Sequence, residues 1–302
     1  MKDNKKKDVI IIGGSFSGLS AAMALGRSLQ DVLIIDDEKP CNEQTPHSHN
    51  FLTEDGQTPQ AIFIKAKENV EKYATVKFVK DFASEGFKTK TGYQINTLKG
   101  ATFFTNKLIF ATGVKDLMPN ISGFRECWGI SVIHCPYCHG YEVRNKKTGV
   151  LGNSDYGFEF SKLISNLTKD LTLFTNGKST LSDEQTLKLK RHGIEINEAE
   201  IDRFDHQEGY LKNVVFKNGS KVQLQAIYAK TPFVHHCDIP STLGCEFTDT
   251  GHISVDGFQR TSQPGIYACG DNTTMMRSVS NAVAMGTLAG AAVNKEIIDE
   301  EF

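Results

Sequence analysis

No apolar run in the 302 residues approaches the roughly 18 that a membrane span needs. Charge of one sign is not in surplus either: Lys and Arg total 34 and Asp and Glu 36, a formal net charge of -2. That balance argues against a chain built mainly to grip nucleic acid or an anionic membrane. Low-complexity tracts and solenoid-period repeats are missing, which excludes repeat architectures. The start, with its lysine run ahead of Val9-Ile10-Ile11-Ile12, superficially looks like a secretory leader. Its apolar run is too short and ends in Gly13-Gly14 rather than a cleavage pattern, so a buried strand in a cytoplasmic chain is the expectation. The cysteines, at positions 41, 127, 135, 138, 237, 245 and 269, are an odd and scattered set. They do not read as a disulfide framework.

At this length about two domains are expected. Two βα beginnings are visible. Asp8–Ile12 leads through a glycine turn into a helix over 19–29 and a strand over 32–36. Residues 148–151 lead through Gly152 and Gly157 into a helix over 158–167 and a strand over 171–175. Strand, glycine turn, helix, strand is the order of a βαβ unit, so the prediction is an α/β fold of two Rossmann-like domains. A β-rich stretch over 76–113 separates them, and another βαβ-like stretch runs to about residue 229. The tail holds a strand over 265–270 and a small-residue helix over 280–298. It cannot stand alone and must return to the first domain. The expected division is 1–115 plus 232–302 for the first domain and 116–231 for the second, inserted one.

Gly13-Gly14-Ser15-Phe16-Ser17-Gly18 places glycine at the first and last positions of a dinucleotide fingerprint and Ser15 at the third. Asp36 ends the next strand, near the spacing of a carboxylate that bonds a ribose hydroxyl. An α/β turn without a nucleotide remains the alternative. Residues 266–271 form a strand ending in Gly270-Asp271, and residues 107–113 one ending in Ala111-Thr112-Gly113. The chemical centre is Cys135-Pro136-Tyr137-Cys138-His139. Thiols two residues apart can close a disulfide. The same spacing also suits haem attachment, half a zinc site, or two inert thiols. Haem attachment would need export, and Cys237 and Cys245 make no second zinc pair, so no metal is expected.

These segments together resemble the low-molecular-weight thioredoxin reductase family, over nearly the whole chain. The resemblance implies two three-layer ββα domains and FAD on the first. It implies cofactor contacts at Gly13, Gly14, Ser15, Phe16, Ser17, Gly18, Asp36, Asn42, His49, Ala111, Thr112, Gly113, Asp271, Ser280, Asn281 and Ala282. It implies that Cys138 faces the flavin and that Cys135 exchanges with a thioredoxin-like protein or a small dithiol or disulfide, in a homodimer. His139 stands where the family commonly has an acid and is a candidate acid–base group. Cys-Pro-Tyr-Cys-His-Gly-Tyr-Glu and the stretch His47–Gly56 resemble the branch that includes fungal dithiol oxidases.

The second glycine turn departs from the pattern. Ser154 replaces its middle glycine, Tyr156 precedes its last one, and Asp155 adds negative charge at a helix start. Residues 173–178 read Leu-Phe-Thr-Asn-Gly-Lys, with none of the paired arginines that clamp a ribose phosphate. The use of NAD(P)H therefore stays open. So does direction: a reductase, an oxygen-dependent dithiol oxidase, a non-thiol NAD(P)H-dependent flavin reductase, or a flavin protein without turnover. Lys5–Lys7 reads as a solvated end, His235-His236 as a structural loop and Trp128 as core.

Overall fold

Residues 9–12 are all branched and apolar, so their strand has no polar face to turn outward and is covered on both sides. The computed structural model describes residues 6–302; residues 1–5, with the start of the lysine run, lie outside the described residues. The strand Lys6–Ile12 sits in a seven-stranded sheet. The order is Val76–Lys80, Val32–Asp36, Lys6–Ile12, Thr102–Phe110, Gly92–Thr97 and Ala83–Thr89, with Ile266–Ala268 also on Thr102–Phe110. Gly92–Thr97 pairs antiparallel with both Ala83–Thr89 and Thr102–Phe110, and the other pairings are parallel.

Alternate residues divide between two cores. Val9, Ile11, Val32, Ile34 and Ile109 meet the helices Phe16–Arg27 and Val279–Glu301 through Leu19, Leu25, Ala289 and Val293. Ile10, Ile12, Leu33, Ile35, Leu108 and Phe110 meet Tyr93, Ile95, Ile239 and Ile253 on the other side. Each such side chain contributes roughly 1.5–3 kcal/mol by leaving water. The small-residue face of the last helix has a direct reason. A Cβ at Gly286 would collide with the Ser17 carbonyl oxygen, and one at Gly290 would stand 2.6 Å from that of Ala21. Lys7 is no frayed residue: it belongs to the strand and pairs with Asp31 at 3.0 Å.

By contacts the chain divides into two units. One is Met1–Glu43, Asn50–Lys115 and Val234–Phe302; the other is Gln44–His49 and Asp116–Phe233. The second unit holds a parallel sheet ordered Glu195–Asn197, Leu171–Phe174, Thr148–Leu151, Ala226–Ala229 and Val132–Ile133. The helices Ser154–Ile164 and Asp183–Arg191 connect its strands. The expected βαβ continuation holds through the helix Asp183–Arg191 and the parallel strand Glu195–Asn197 but not on to residue 229: Ile201–Gln207, Tyr210–Phe216 and Lys221–Gln223 form a three-stranded antiparallel meander. Its first turn is Glu208-Gly209 with φ of 51° and 81°, the left-handed pair that closes a tight hairpin. Trp128 is core, stacked on Phe124 and His134. Residues 44–49 pack with this unit although the sequence reading keeps them in the first: Gln44 and Thr45 lie against Gly129. No helix among the described residues is long and apolar enough to cross a membrane.

Candidate active site

Each glycine of the first turn answers a close approach. Gly13 has φ 100°, and a Cβ there would collide with the Ala111 carbonyl oxygen. A Cβ on Gly18 would collide with the Gly13 carbonyl oxygen, and one on Gly14 would stand 2.9 Å from Asp36 Cβ. The turn thus presses the helix Phe16–Arg27 against two strand ends. Ser15, its N-cap, makes no side-chain cap bond, so the positive end of a twelve-residue helix is left without a capping side chain. Asp36 accepts from Gly14 N at 2.9 Å and Glu38 N at 3.2 Å. Burial raises its carboxyl above the usual range, and those two N–H groups oppose the rise.

The other sequence-selected residues of this unit gather here in part. Ala111 N donates to Ile12 O at 2.8 Å. Gly113, with φ 60°, borders open space. Gly270 has φ 88°, and a Cβ there would stand 2.6 Å from Ser17 Oγ. Asp271 pairs with Arg277 at 3.4 Å. Ser280, Asn281 and Ala282 open the last helix, where Ser278 caps Asn281 N and Ser280 Oγ donates to Asn50 O at 2.7 Å. Asn42 lies in the turn over 41–44. An uncapped helix start, a glycine cradle and a held carboxylate together fit a dinucleotide: pyrophosphate at the helix, ribose at Asp36.

In the second unit, Cys135 and Cys138 form a disulfide with Cα atoms 5.3 Å apart. The turn that permits this is the short helix Pro136–His139, whose N-cap is Cys135. Pro136 begins the helix, where its missing N–H loses nothing. Cys138 N donates to Cys135 Sγ at 3.1 Å. After reduction that donor favours charge on Cys135, the form that attacks a disulfide. The other five cysteines take no part in this disulfide. Burial pushes Cys127 and Cys237 up to about 11 and Cys269 up to about 12, which makes them poor nucleophiles.

His139 follows Cys138 directly. Its ring lies 6.2 Å from that of His49, nearly perpendicular, and His49 Nε2 lies 3.7 Å from Glu142 Oε1. Burial first, then the neighbouring His49, lowers the pKa of His139 below the usual 6.5, against the pull of Glu142. His49, selected as a cofactor contact, is thus brought beside the disulfide helix. Glu142 joins the site without being a sequence candidate; its place four residues after Cys138 is the signal that marks it.

The second glycine turn is filled by its own chain. Asn153 Oδ1 accepts from Ser154 N at 2.9 Å, Thr180 N at 2.8 Å and Thr180 Oγ1 at 3.0 Å, while Asn153 Nδ2 donates to Lys178 O at 3.0 Å. One amide ties the helix start to the loop over 178–180. Ser154 has φ 51°, a left-handed conformation that glycine would adopt freely. Asp155 turns to Gln185 Nε2 at 2.7 Å, and the Tyr156 ring fills the space over Gly152.

The comparisons with known proteins agree with this layout. A family model described as pyridine nucleotide-disulphide oxidoreductase matches residues 7–286. Thioredoxin reductase tcpT of Claviceps purpurea is 30% identical, covering 96% of this chain and 94% of that protein. Thioredoxin reductase sirT of Leptosphaeria maculans is also 30% identical, over 98% and 95%. Among solved structures, an oxidoreductase from Agrobacterium tumefaciens is 34% identical with a TM-score of 0.91, covering 97% of this chain and 99% of that one. TrxB of Bacillus anthracis reaches 0.93 at 30% identity, over 98% and 100%. With the match running through both glycine turns and the disulfide, the chain belongs to the pyridine nucleotide-disulphide oxidoreductase family, as an FAD-dependent, thioredoxin reductase-like oxidoreductase acting on sulfur groups.

Proposed function

We propose that the chain exchanges electrons between FAD and a thioredoxin-like protein or small dithiol through Cys135 and Cys138. The observation that carries this is the disulfide itself, closed at the head of a short helix beside His139. FAD would lie on Gly13–Gly18, Asp36, the Ala111–Gly113 segment and Asp271; when bound it supplies the two-electron partner that the thiol pair lacks. The chain's own chemistry is exchange. A substrate thiolate attacks Cys135 Sγ, the 135–138 bond breaks, and Cys138 leaves as a thiolate. The second substrate thiol attacks the mixed disulfide, the substrate departs oxidised, and both electrons remain on the cysteine pair. In the reverse direction Cys135 attacks and the substrate leaves reduced. His139, held neutral by burial, can take the proton of the attacking thiol or return it to a leaving thiolate.

The filled second turn favours the direction that begins with a dithiol, with oxygen as final acceptor and hydrogen peroxide as by-product. Oxygen uptake with dithiothreitol and no nicotinamide tests it. Sustained uptake supports the oxidase direction; no uptake, with fast disulfide reduction by NADPH, supports the reductase. The reading takes the chain as a cytoplasmic homodimer, on the family likeness and on five thiols left reduced.

Two expectations arise here. His139→Ala should slow exchange by roughly a hundredfold or more, the worth of a positioned acid–base group. The neutral ring is the useful form. As its pKa is lowered, the wild-type rate should hold through neutral pH and fall only on acidification below the usual histidine value of 6.5. The variant should lose that limb. A pH–rate profile for both proteins checks it. Gly18→Ala should purify without flavin, because the added methyl meets the Gly13 carbonyl oxygen, a backbone atom that cannot swing aside. The ratio of flavin to protein absorbance reads the result.

A further inference from the structure

Asn272, next to Asp271, is completely buried and has no role in the account so far. Its Nδ2 donates to Phe110 O at 2.9 Å and to Thr112 Oγ1 at 3.3 Å. Its backbone carbonyl accepts from Ile253 N at 2.8 Å. Its Oδ1 is buried with no partner among the described residues. A lone buried acceptor destabilises the fold, and a leucine of similar size would remove it. The amide must therefore serve through what it donates. Phe110 O also accepts from Cys269 N at 3.0 Å and so keeps a partner without the amide, which makes the bond to Thr112 the distinctive one. Thr112 follows Ala111, whose carbonyl is the atom Gly13 makes room for. A hydroxyl that accepts from Asn272 still has its own hydrogen to donate.

We infer that Asn272 is a positioning residue for the dinucleotide, holding Thr112 so that the Ala111–Gly113 segment stays against the first glycine turn and the Thr112 hydroxyl donates to FAD. The inference rests on the FAD assignment above. Its test uses the FAD-loaded protein and four variants: Asn272→Leu, Thr112→Val, the double variant and Thr112→Ser. FAD release is followed by recovery of flavin fluorescence, and unfolding by far-ultraviolet circular dichroism at saturating FAD. Either of the first two changes should speed release roughly three- to tenfold, the worth of one neutral hydrogen bond. The double variant should be no faster than the faster single, since both remove one linkage. Thr112→Ser should release at the wild-type rate, and Asn272→Leu should unfold at the wild-type temperature. Additive effects, unchanged release, or a large fall in the unfolding temperature of Asn272→Leu would overturn the inference. A wild-type protein that holds no FAD would instead remove the assignment beneath it.

Discussion

Cys135→Ser and Cys138→Ser proteins are each expected to lose steady-state dithiol turnover by on the order of a thousandfold or more, yet to fold and retain flavin. The loss is large because the pair acts as a unit. Without Cys135 no sulfur accepts the substrate thiolate; without Cys138 nothing leaves and the electrons cannot stay on the chain. None of the five other thiols can substitute: Cys127, Cys245 and Cys269 are buried, burial raises Cys237 to about 11, and Cys41 lies in the turn over 41–44, outside the short helix that closes the bridge. Folding survives because the bridge spans a sequence separation of only 3 and so constrains little of the unfolded chain. The core of that unit rests on Phe124, Trp128, Phe174, Phe204 and Phe216 instead. Turnover of dithiothreitol, circular dichroism and flavin content separate the outcomes. Near-normal turnover in either variant would remove the pair from the mechanism.

NADPH is expected to be a poor reductant, with no marked preference over NADH. At the first turn the helix begins with no side-chain cap; at the second, Asn153 already holds Ser154 N, Thr180 N and Thr180 Oγ1. A pyrophosphate there must displace those bonds and sit beside Asp155. The ribose phosphate would find no arginine on the strand Leu171–Phe174 or in the turn after it. Arg203 is committed to Asp202 and Asp205 at 2.9 and 3.0 Å. Two or three bonds of about 1 kcal/mol each, with a missing charged fork, weaken binding by roughly a hundredfold or more. Stopped-flow reduction measures it. Fast, saturable reduction by micromolar NADPH with strong discrimination against NADH contradicts the expectation.

Much of the fold is local and therefore legible. The glycine turns, the branched strand over 9–12 and the small-residue face of the last helix each carry their cause in their own residues. The meander over 201–223 is hard to read from sequence because charged residues interrupt the apolar pattern of its first strand, Ile201–Gln207, and its Glu208-Gly209 turn is an unusual pair for a left-handed corner. The site was less legible where it depends on distant packing. His49 meets His139 only because residues 44–49 cross to the second unit, and no local pattern announces that. Asn153 reads as an ordinary cap until Thr180 and Lys178 arrive beside it. Asn272 reads as a loop residue after Gly270-Asp271, since its partners lie about 160 positions away.

Electrons are expected to pass between a dithiol and FAD by way of Cys135 and Cys138. Anaerobic addition of dithiothreitol, with flavin absorbance followed in the wild-type, Cys135→Ser and Cys138→Ser proteins, tests it most directly. Full bleaching of the wild type by a stoichiometric excess of dithiol is expected, with little or none in either variant over the same time. Bleaching at the wild-type rate in both variants would contradict it.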